Sequence, residues 1–220
     1  MGKSNKIALA DNEWLAALPE AARLELVKAA KIRRFGADVC VQRKGETADG
    51  LYGLLKGEVR VFANTFAGDE IVFTHILPGQ WFGEIAILDG GLRTHDAHTT
   101  MPSELVILPR QVILELCERH LEVYQALVSL LCTHCRLAFG AVDEFLVCSP
   151  EQRMAKRLLQ RTTFGTSGKI TISQKELGAL AGISRQSTNK ILKRWESQVW
   201  IKRVYGGIEI YDYDALQHLP

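Results

Sequence analysis

From Gln111 to Val147 the chain carries a single glycine, Gly140, and no proline. Nothing in that run breaks a helix, yet it exceeds the length of an ordinary globular helix. It predicts a break near Arg119-His120 followed by one long helix. The apolar residues of the long helix fall into two adjacent seams. Val123, Leu127, Leu130, His134, Leu137 and Ala141 recur at heptad-like spacing, and Tyr124, Val128, Leu131, Cys135, Ala138, Val142 and Phe145 lie beside them. A helix apolar on two faces packs against two things. One is its own domain and the other a partner helix. The expectation is a homodimer with Leu127, Leu130, His134, Leu137 and Ala141 as dimerisation residues. The alternative is the core helix of a monomer.

Upstream the pattern is the opposite. Short β-prone runs (Val39–Val41, Leu51–Leu55, Val59–Val61, Ile71–Phe73) are divided by ten glycines between Gly36 and Gly91. Many short strands with glycine turns predict a β-sandwich or β-roll. Short helices precede it over about 12–31, where Leu15, Leu18, Leu24 and Val27 keep helical spacing and Pro19 starts a helix. Downstream, Ser149-Pro150 reads as an N-cap and first helical position. A helix over 151–161 and a loop over 165–168 follow. The fold class is α+β: an N-terminal β-roll of the double-stranded β-helix or jelly-roll type, a long dimerisation α-helix (about 111–148), and a C-terminal winged helix-turn-helix. The domains are 1–148 and 149–220.

Charge divides at the same place. Residues 149–220 hold 12 Lys and Arg against 6 Asp and Glu, a net of +6, whereas the first 148 residues net −4. Only the rear half is suited to a polyanion. No stretch approaches the roughly 18–20 uninterrupted apolar residues of a membrane span, and residues 1–6 lack the apolar core of a signal peptide. The five cysteines are odd in number and scattered, which suits reduced thiols rather than a disulfide scaffold. The expected location is the cytoplasm, with no membrane partner.

The rear half contains a DNA-reading pattern. Ser173 to Glu176 is a capping-box sequence opening a helix whose buried stripe is Leu177, Leu180 and Ala181. Gly182 can take the left-handed conformation of a tight turn. Ser184 caps a second helix, with Thr188, Ile191 and Leu192 facing inward. Arg185, Gln186, Asn189 and Lys190 are left on the outward face near its start, the part that enters the major groove. Arg can grip guanine bidentately, and Gln or Asn can pair with adenine. Lys193 and Arg194 suit phosphates better. Further on, Gly206-Gly207 separates two β-prone runs, a hairpin signal for a wing, from which Lys202 and Arg203 could reach the DNA backbone.

The second helix, Ile183-Ser-Arg-Gln-Ser-Thr-Asn-Lys-Ile-Leu-Lys193, is similar to the pattern S-R-E-T-V-x-R-x-L-x of the CRP/FNR superfamily of bacterial transcription regulators, and nearly the whole chain resembles that family. The resemblance implies that Arg185 stands where the family reads guanine, Gln186 where it has Glu, and Lys190 where it has a second Arg. It also implies RNA polymerase as a partner.

Gly83-Glu-Ile-Ala-Ile-Leu-Asp-Gly-Gly-Leu-Arg93-Thr-His95 is the second informative stretch. Gly83 permits close approach of a ligand to backbone, and Glu84 offers a carboxylate to hydroxyls. A turn through Asp89-Gly-Gly could bring Arg93 back towards Glu84, where its guanidinium can grip a phosphate. Thr94 adds a hydroxyl. The stretch resembles the cyclic-nucleotide phosphate-binding cassette, G-E-[LI]-A-[LI]-x(5)-R-[ST]-A. The resemblance implies ribose contact by Glu84, cyclic-phosphate contact by Arg93 and Thr94, and backbone contacts from Gly83 and Ile85. His95 replaces the family's Ala beside the phosphate and could crowd it, and Ala138 and Phe139 take the place of the family's base-contacting Thr-Ser. The alternative for Glu84 and Arg93 is an internal salt bridge in a roll that binds no nucleotide.

Other chemistries leave weaker traces. No cysteine precedes Cys40, against an N-terminal iron–sulfur cluster. Cys132-Thr-His-Cys135 reads as core thiols and a seam histidine rather than a zinc site. His75, His95, His98 and His134 are candidate haem ligands without a motif. No metal, haem or catalytic residue is expected. The reading is a non-enzymatic, ligand-gated, homodimeric regulator of double-stranded DNA, with an inverted-repeat operator and a small effector such as cAMP or another cyclic nucleotide. The alternatives are the same regulator sensing haem, a gas, redox state or another effector; a cyclic-nucleotide module acting on a protein partner; and a metal-dependent hydrolase.

Overall fold

The computed structural model describes residues 13–64, 70–162 and 169–219; the loop expected over 165–168 and the segment 1–6 lie outside them. The chain forms two compact units. The first contains Val72 to Leu137 and the residues up to Asn64; the second runs from Ala138 to the C-terminus and also takes in Glu70 and Ile71.

The first unit opens with helices α1 (Glu13–Ala16) and α2 (Glu20–Ala29), the latter with Pro19 in the N-cap position. Eight strands follow: β1 (Lys31–Phe35), β2 (Cys40–Gln42), β3 (Gly50–Lys56), β4 (Val59–Asn64), β5 (Glu70–Ile76), β6 (Trp81–Phe82), β7 (Asp96–Thr99) and β8 (Ser103–Pro109). They make two four-stranded antiparallel sheets, β1-β8-β3-β6 and β2-β7-β4-β5, the β-roll that the glycine-punctuated pattern predicts. Tyr52, Leu54, Val59, Phe82, Ala97 and Leu105 fill the space inside the roll. A second apolar cluster joins Leu15, Leu26, Leu51, Trp81 and Leu108 to the helices that follow.

Those helices are α4 (Arg110–Arg119) and α5 (Leu121–Val147); α3 is the short Ile85–Leu88 turn inside the cassette. His120, with extended backbone at φ −137° and ψ 102°, makes the break between α4 and α5. The first seam of α5 divides along its length: its early residues face inward, against the expectation, whereas Leu137 is exposed. Val123, Ala126 and Leu127 are buried in the first unit's core, and Leu130 packs against it. Leu127 is fully buried and is no dimerisation residue. Tyr124, Leu137, Phe139, Val142 and Phe145 are exposed large apolar residues on the same helix. Cys132 and Cys135 are exposed too, not core thiols. By length and mean hydropathy α5 could cross a bilayer. Its first turns are instead buried in the protein's own core, and its last turns carry Glu144, which is ion-paired to Arg157.

In the second unit, Ser149 caps α6 (Pro150–Gln160) with a full capping box closed by Gln152. Helix α7 (Gln174–Ala181) is capped by Ser173 and α8 (Arg185–Ser197) by Ser184, each through the backbone N–H three residues on. A three-stranded sheet, β10-β11-β9, is made by β9 (Lys169–Ile170), β10 (Ile201–Val204) and β11 (Gly207–Ile210), and α9 (Tyr213–Gln217) ends the fold. Because Val204 pairs with Gly207, the wing turns on Tyr205-Gly206, one residue before the Gly-Gly expected. Trp195, Leu177, Leu192, Met154 and Leu158, all fully buried, form the unit's core.

The turn between α7 and α8 depends on Gly182, at φ +65°. A Cβ there would also lie 2.6 Å from the Phe145 ring. Gly182→Ala should therefore destabilise the second unit by about 1–3 kcal/mol, the usual range for a non-glycine residue forced into this region. Loss of near-ultraviolet ellipticity on heating, compared with wild type, measures it.

Candidate effector and nucleic-acid interfaces

The effector cassette starts where β6 ends. Gly83 has φ +95°, and Glu84 leads into the single turn α3. This tight passage buries Glu84 and, ten residues beyond Gly83, the side chain of Arg93. A buried guanidinium must be paired and hydrogen-bonded. Arg93 donates from Nη1 to the Gly83 carbonyl (2.9 Å) and from Nη2 to the Gly50 carbonyl (2.7 Å) and Asp49 Oδ1 (3.0 Å). The cation also lies 5.2 Å from the centre of the Tyr52 ring. The Tyr52 hydroxyl donates to both Asp49 oxygens, and burial together with that carboxylate pushes its pKa up.

Arg93 thus folds back onto Gly83 as expected, but its carboxylate partner is Asp49, not Glu84. Glu84 Oε1 instead accepts from His134 Nδ1 of α5 at 2.8 Å. The internal Glu84–Arg93 salt bridge, the alternative raised by the sequence, is absent among the described residues, since each group has a different partner. His134, expected in a helix–helix seam, faces the cassette. Its hydrogen bond to Glu84 raises the imidazole pKa against the opposing effect of burial.

Thr94 is exposed, and its Oγ1 lies 2.9 Å from His95 Nδ1. His95 stands edge-on to the exposed Phe73 ring, centroids 4.4 Å apart, and its carbonyl accepts from Gln42. Burial, aided by Lys44, lowers its pKa. His95 therefore lies beside the Thr94 hydroxyl in surroundings that disfavour its charged form. A cavity of about 450 Å³ opens on another side of Arg93, lined by Arg33, Val41, Gln42, Glu46, Thr47, Asp49 and Tyr52. Asp49, Tyr52 and Gln42 were not singled out from the sequence, for no local motif marks them. Of the remaining histidines named as haem candidates, His75 is bonded to Glu58 and His98 stands edge-on to Phe62.

On the second unit, Ser184, Arg185, Gln186, Lys190 and Lys193 are exposed and Asn189 is half-buried along α8. Its inner face, Thr188, Leu192 and Trp195, is buried. The outward and inward residues divide as the sequence predicts. Two of the residues expected at phosphates, Arg194 and Arg203, are ion-paired to carboxylates of the same unit. Arg194 is ion-paired to Glu151, whose other oxygen accepts from Trp195 Nε1 at 2.6 Å. Arg203 binds Glu196 through Nε at 2.8 Å and through its backbone N–H, holding that carboxyl below its usual pKa range. Both pairs join α8 to its neighbours, and Arg194 remains exposed. Lys202 is exposed on the wing. The sequence also missed Arg153, which donates to the carbonyls of Ala181 and Cys148 (both 2.9 Å) and lies over the Phe145 ring.

Comparison with known proteins agrees with both halves. Residues 32–120 match the cyclic nucleotide-binding domain and residues 152–219 the Crp-like helix-turn-helix domain. The cyclic AMP receptor protein of Thermus thermophilus is 29% identical over 176 residues, covering 80% of this chain and 82% of that protein. Among solved structures, a protein assigned to the crp/fnr family of regulators from Eubacterium rectale superposes with a TM-score of 0.82 at 15% identity, covering 93% of this chain and 96% of the other. The c-di-GMP responsive global regulator CLP of Xanthomonas campestris gives 0.77 at 18% identity, covering 88% and 99%.

Gly83 is the cassette position that admits no side chain. Its Cβ would lie 2.3 Å from Arg93 Nη1, on backbone already at positive φ. Gly83→Ala should dislodge the guanidinium from Gly83 and cost about 1–3 kcal/mol. Urea unfolding of the variant against wild type checks this, and an unchanged midpoint would count against the packing described.

Proposed function

Because the chain belongs to the CRP/FNR superfamily, a family of transcription regulators rather than enzymes, we propose that it is a cytoplasmic homodimer that reads an inverted-repeat operator through α8 and is gated by a cyclic nucleotide at the cassette. The observation that carries the DNA reading is the split of α8. Its first turns present Arg185, Gln186 and Lys190 outward from a helix whose inner face is locked into the core, as a major-groove reader requires. In this reading Arg185 specifies a base, Gln186, Asn189 and Lys190 add base contacts, and Ser184, Lys193 and Lys202 meet phosphates. The DNA-binding module begins at Ser149.

The exposed apolar residues of α5 support the dimer. Leu137 and Ala141, one turn apart on one side of the helix, would be covered by the same face of a second copy. For the effector, Arg93 and Thr94 offer a phosphate site beside the Glu84 carboxylate. An entering phosphate must draw on a guanidinium already held by three protein acceptors, and so competes with Asp49 for it. The Thermus thermophilus relative is named for cyclic AMP, and the Xanthomonas campestris neighbour for response to c-di-GMP. The second reading, a different small effector on the same regulator, is favoured by one observation: Glu84 is already occupied by His134.

The deciding experiment for the DNA reading is a randomised-site selection at fixed salt. Wild type should select an inverted repeat with half-site centres about 10 bp apart. Arg185→Ala should lose preference at one base pair per half-site, a discrimination of about 1–3 kcal/mol. The same selected motif from both proteins would remove Arg185 as a base reader. Lys193→Ala should lower the slope of log affinity against log salt by about one, whereas Arg194→Ala and Arg203→Ala should act first on the melting temperature. Calorimetry with cAMP, cGMP and c-di-GMP tests the effector. Arg93→Ala should weaken binding of a phosphate-bearing ligand by about 2–5 kcal/mol, and no heat from any of the three would favour the second reading. Sedimentation of wild type and Leu137→Asp tests the dimer, with dissociation expected for the variant only.

A further inference from the structure

Glu84 is a nearly fully buried carboxylate, 3% exposed, and Oε1 is already taken by a histidine from another element. A ligand that brings hydroxyls to this carboxylate meets an oxygen already engaged by His134. Resting on the reading of the cassette as the effector site, we propose that His134 is a proton-sensitive gate: its hydrogen bond closes Glu84 in the empty protein, and an effector must displace the imidazole to bind.

The groups around the imidazole give the gate its sign. The cassette presents Glu84 to it, and the pKa of His134 is raised by that bond. Its titratable and charged neighbours in sequence on α5, Cys132, Cys135 and Arg136, are exposed. His134 is itself only half-buried, with about a third of its side chain open to water, so protons reach it. When the imidazole is protonated, the contact becomes an ion pair between a buried carboxylate and an imidazolium, stronger than the neutral bond. If ligand hydroxyls take over Glu84, the imidazole loses the partner that raised its pKa and releases a proton. Binding coupled to proton release strengthens as pH rises. The window runs from the liganded-state value up to the raised value of the empty protein, which lies above the ordinary histidine value of about 6.5. Within it, one proton changes affinity by at most about tenfold per pH unit. Below the window both states are protonated, and above it neither is.

The bond itself also stabilises the empty fold. A raised histidine pKa contributes stability that is fully present below the ordinary value and is lost as pH rises through the raised one. Removing the imidazole should therefore matter most in mild acid.

The test uses the full-length protein in two arms. In the first, without ligand, the His134 ring is titrated by nuclear magnetic resonance in wild type and Glu84→Gln. A titration above about 6.5 that falls back in the variant supports the gate; a wild-type value at or below it overturns the gate. In the second, cAMP affinity is measured from pH 5.5 to 8.5 in wild type, His134→Gln and His134→Ala. Wild-type affinity should rise severalfold between pH 6 and 8, and both variants should be flat across the same range. His134→Gln keeps a hydrogen-bonding amide without titration, and so guards against a merely misfolded alanine variant. A flat wild-type profile, or one that strengthens in acid because the imidazolium draws in the phosphate, overturns the proposal. A raised His134 titration with no cAMP binding at any pH supports the closed contact and instead removes cAMP as the effector.

Discussion

The first unit is organised around one buried positive charge. Arg93 cannot be withdrawn from water without compensation, and the compensation comes from three separate places: the carbonyl of Gly83, the carbonyl of Gly50 and the carboxylate of Asp49. Two of these lie at the start of β3 and one at the entrance to the cassette. The guanidinium thereby fixes the loop 83–93 against the sheet, with the Tyr52 ring 5.2 Å from it. The bends of the cassette serve this arrangement. Gly83 is a glycine because the guanidinium occupies the place its side chain would need. Whatever draws on Arg93 also loosens the fastening of the loop that carries it.

Local features of the chain were readable without the structure. Helix caps depend on residues three apart, so Ser149, Ser173 and Ser184 declare their helices, and the turn at Gly182 declares itself by its residue type. The break at His120 follows from a helical run too long to be one element. Partnerships across the fold were not readable. Arg93 meets Asp49 across 44 positions and Glu84 meets His134 across 50. The motif around Glu84 and Arg93 announced two charged residues but not what would neutralise them. The two seams of α5 were visible as a pair, and periodicity cannot say which one faces inward. That is how Leu127 and His134 came to be assigned to a partner helix when both face their own domain.

The second unit shows a related economy in its arginines. Arg153 and Arg157 hold the end of α5 against the turn of the helix-turn-helix, through the carbonyls of Ala181, Leu180 and Cys148 and the carboxylate of Glu144. Arg194 ties α8 to Glu151 of α6, and Arg203 ties β10 to Glu196 of α8. Part of the basic surplus of this half of the chain is therefore paired within the unit. Several of its cations are spent on shape, and the residues left facing outward on α8 and the wing are fewer and more sharply placed.

Gly140 is the one glycine of α5, and a methyl group added there would touch nothing within 4 Å. It is not a concession to a crowded neighbour. A glycine inside a helix weakens it by about 1 kcal/mol relative to alanine, and this one sits three residues beyond Leu137, where the first compact unit ends. The rod is therefore softest beside the point where its residues pass from one packing environment to the other. Any bend in α5 would cost less at this turn than elsewhere along the helix.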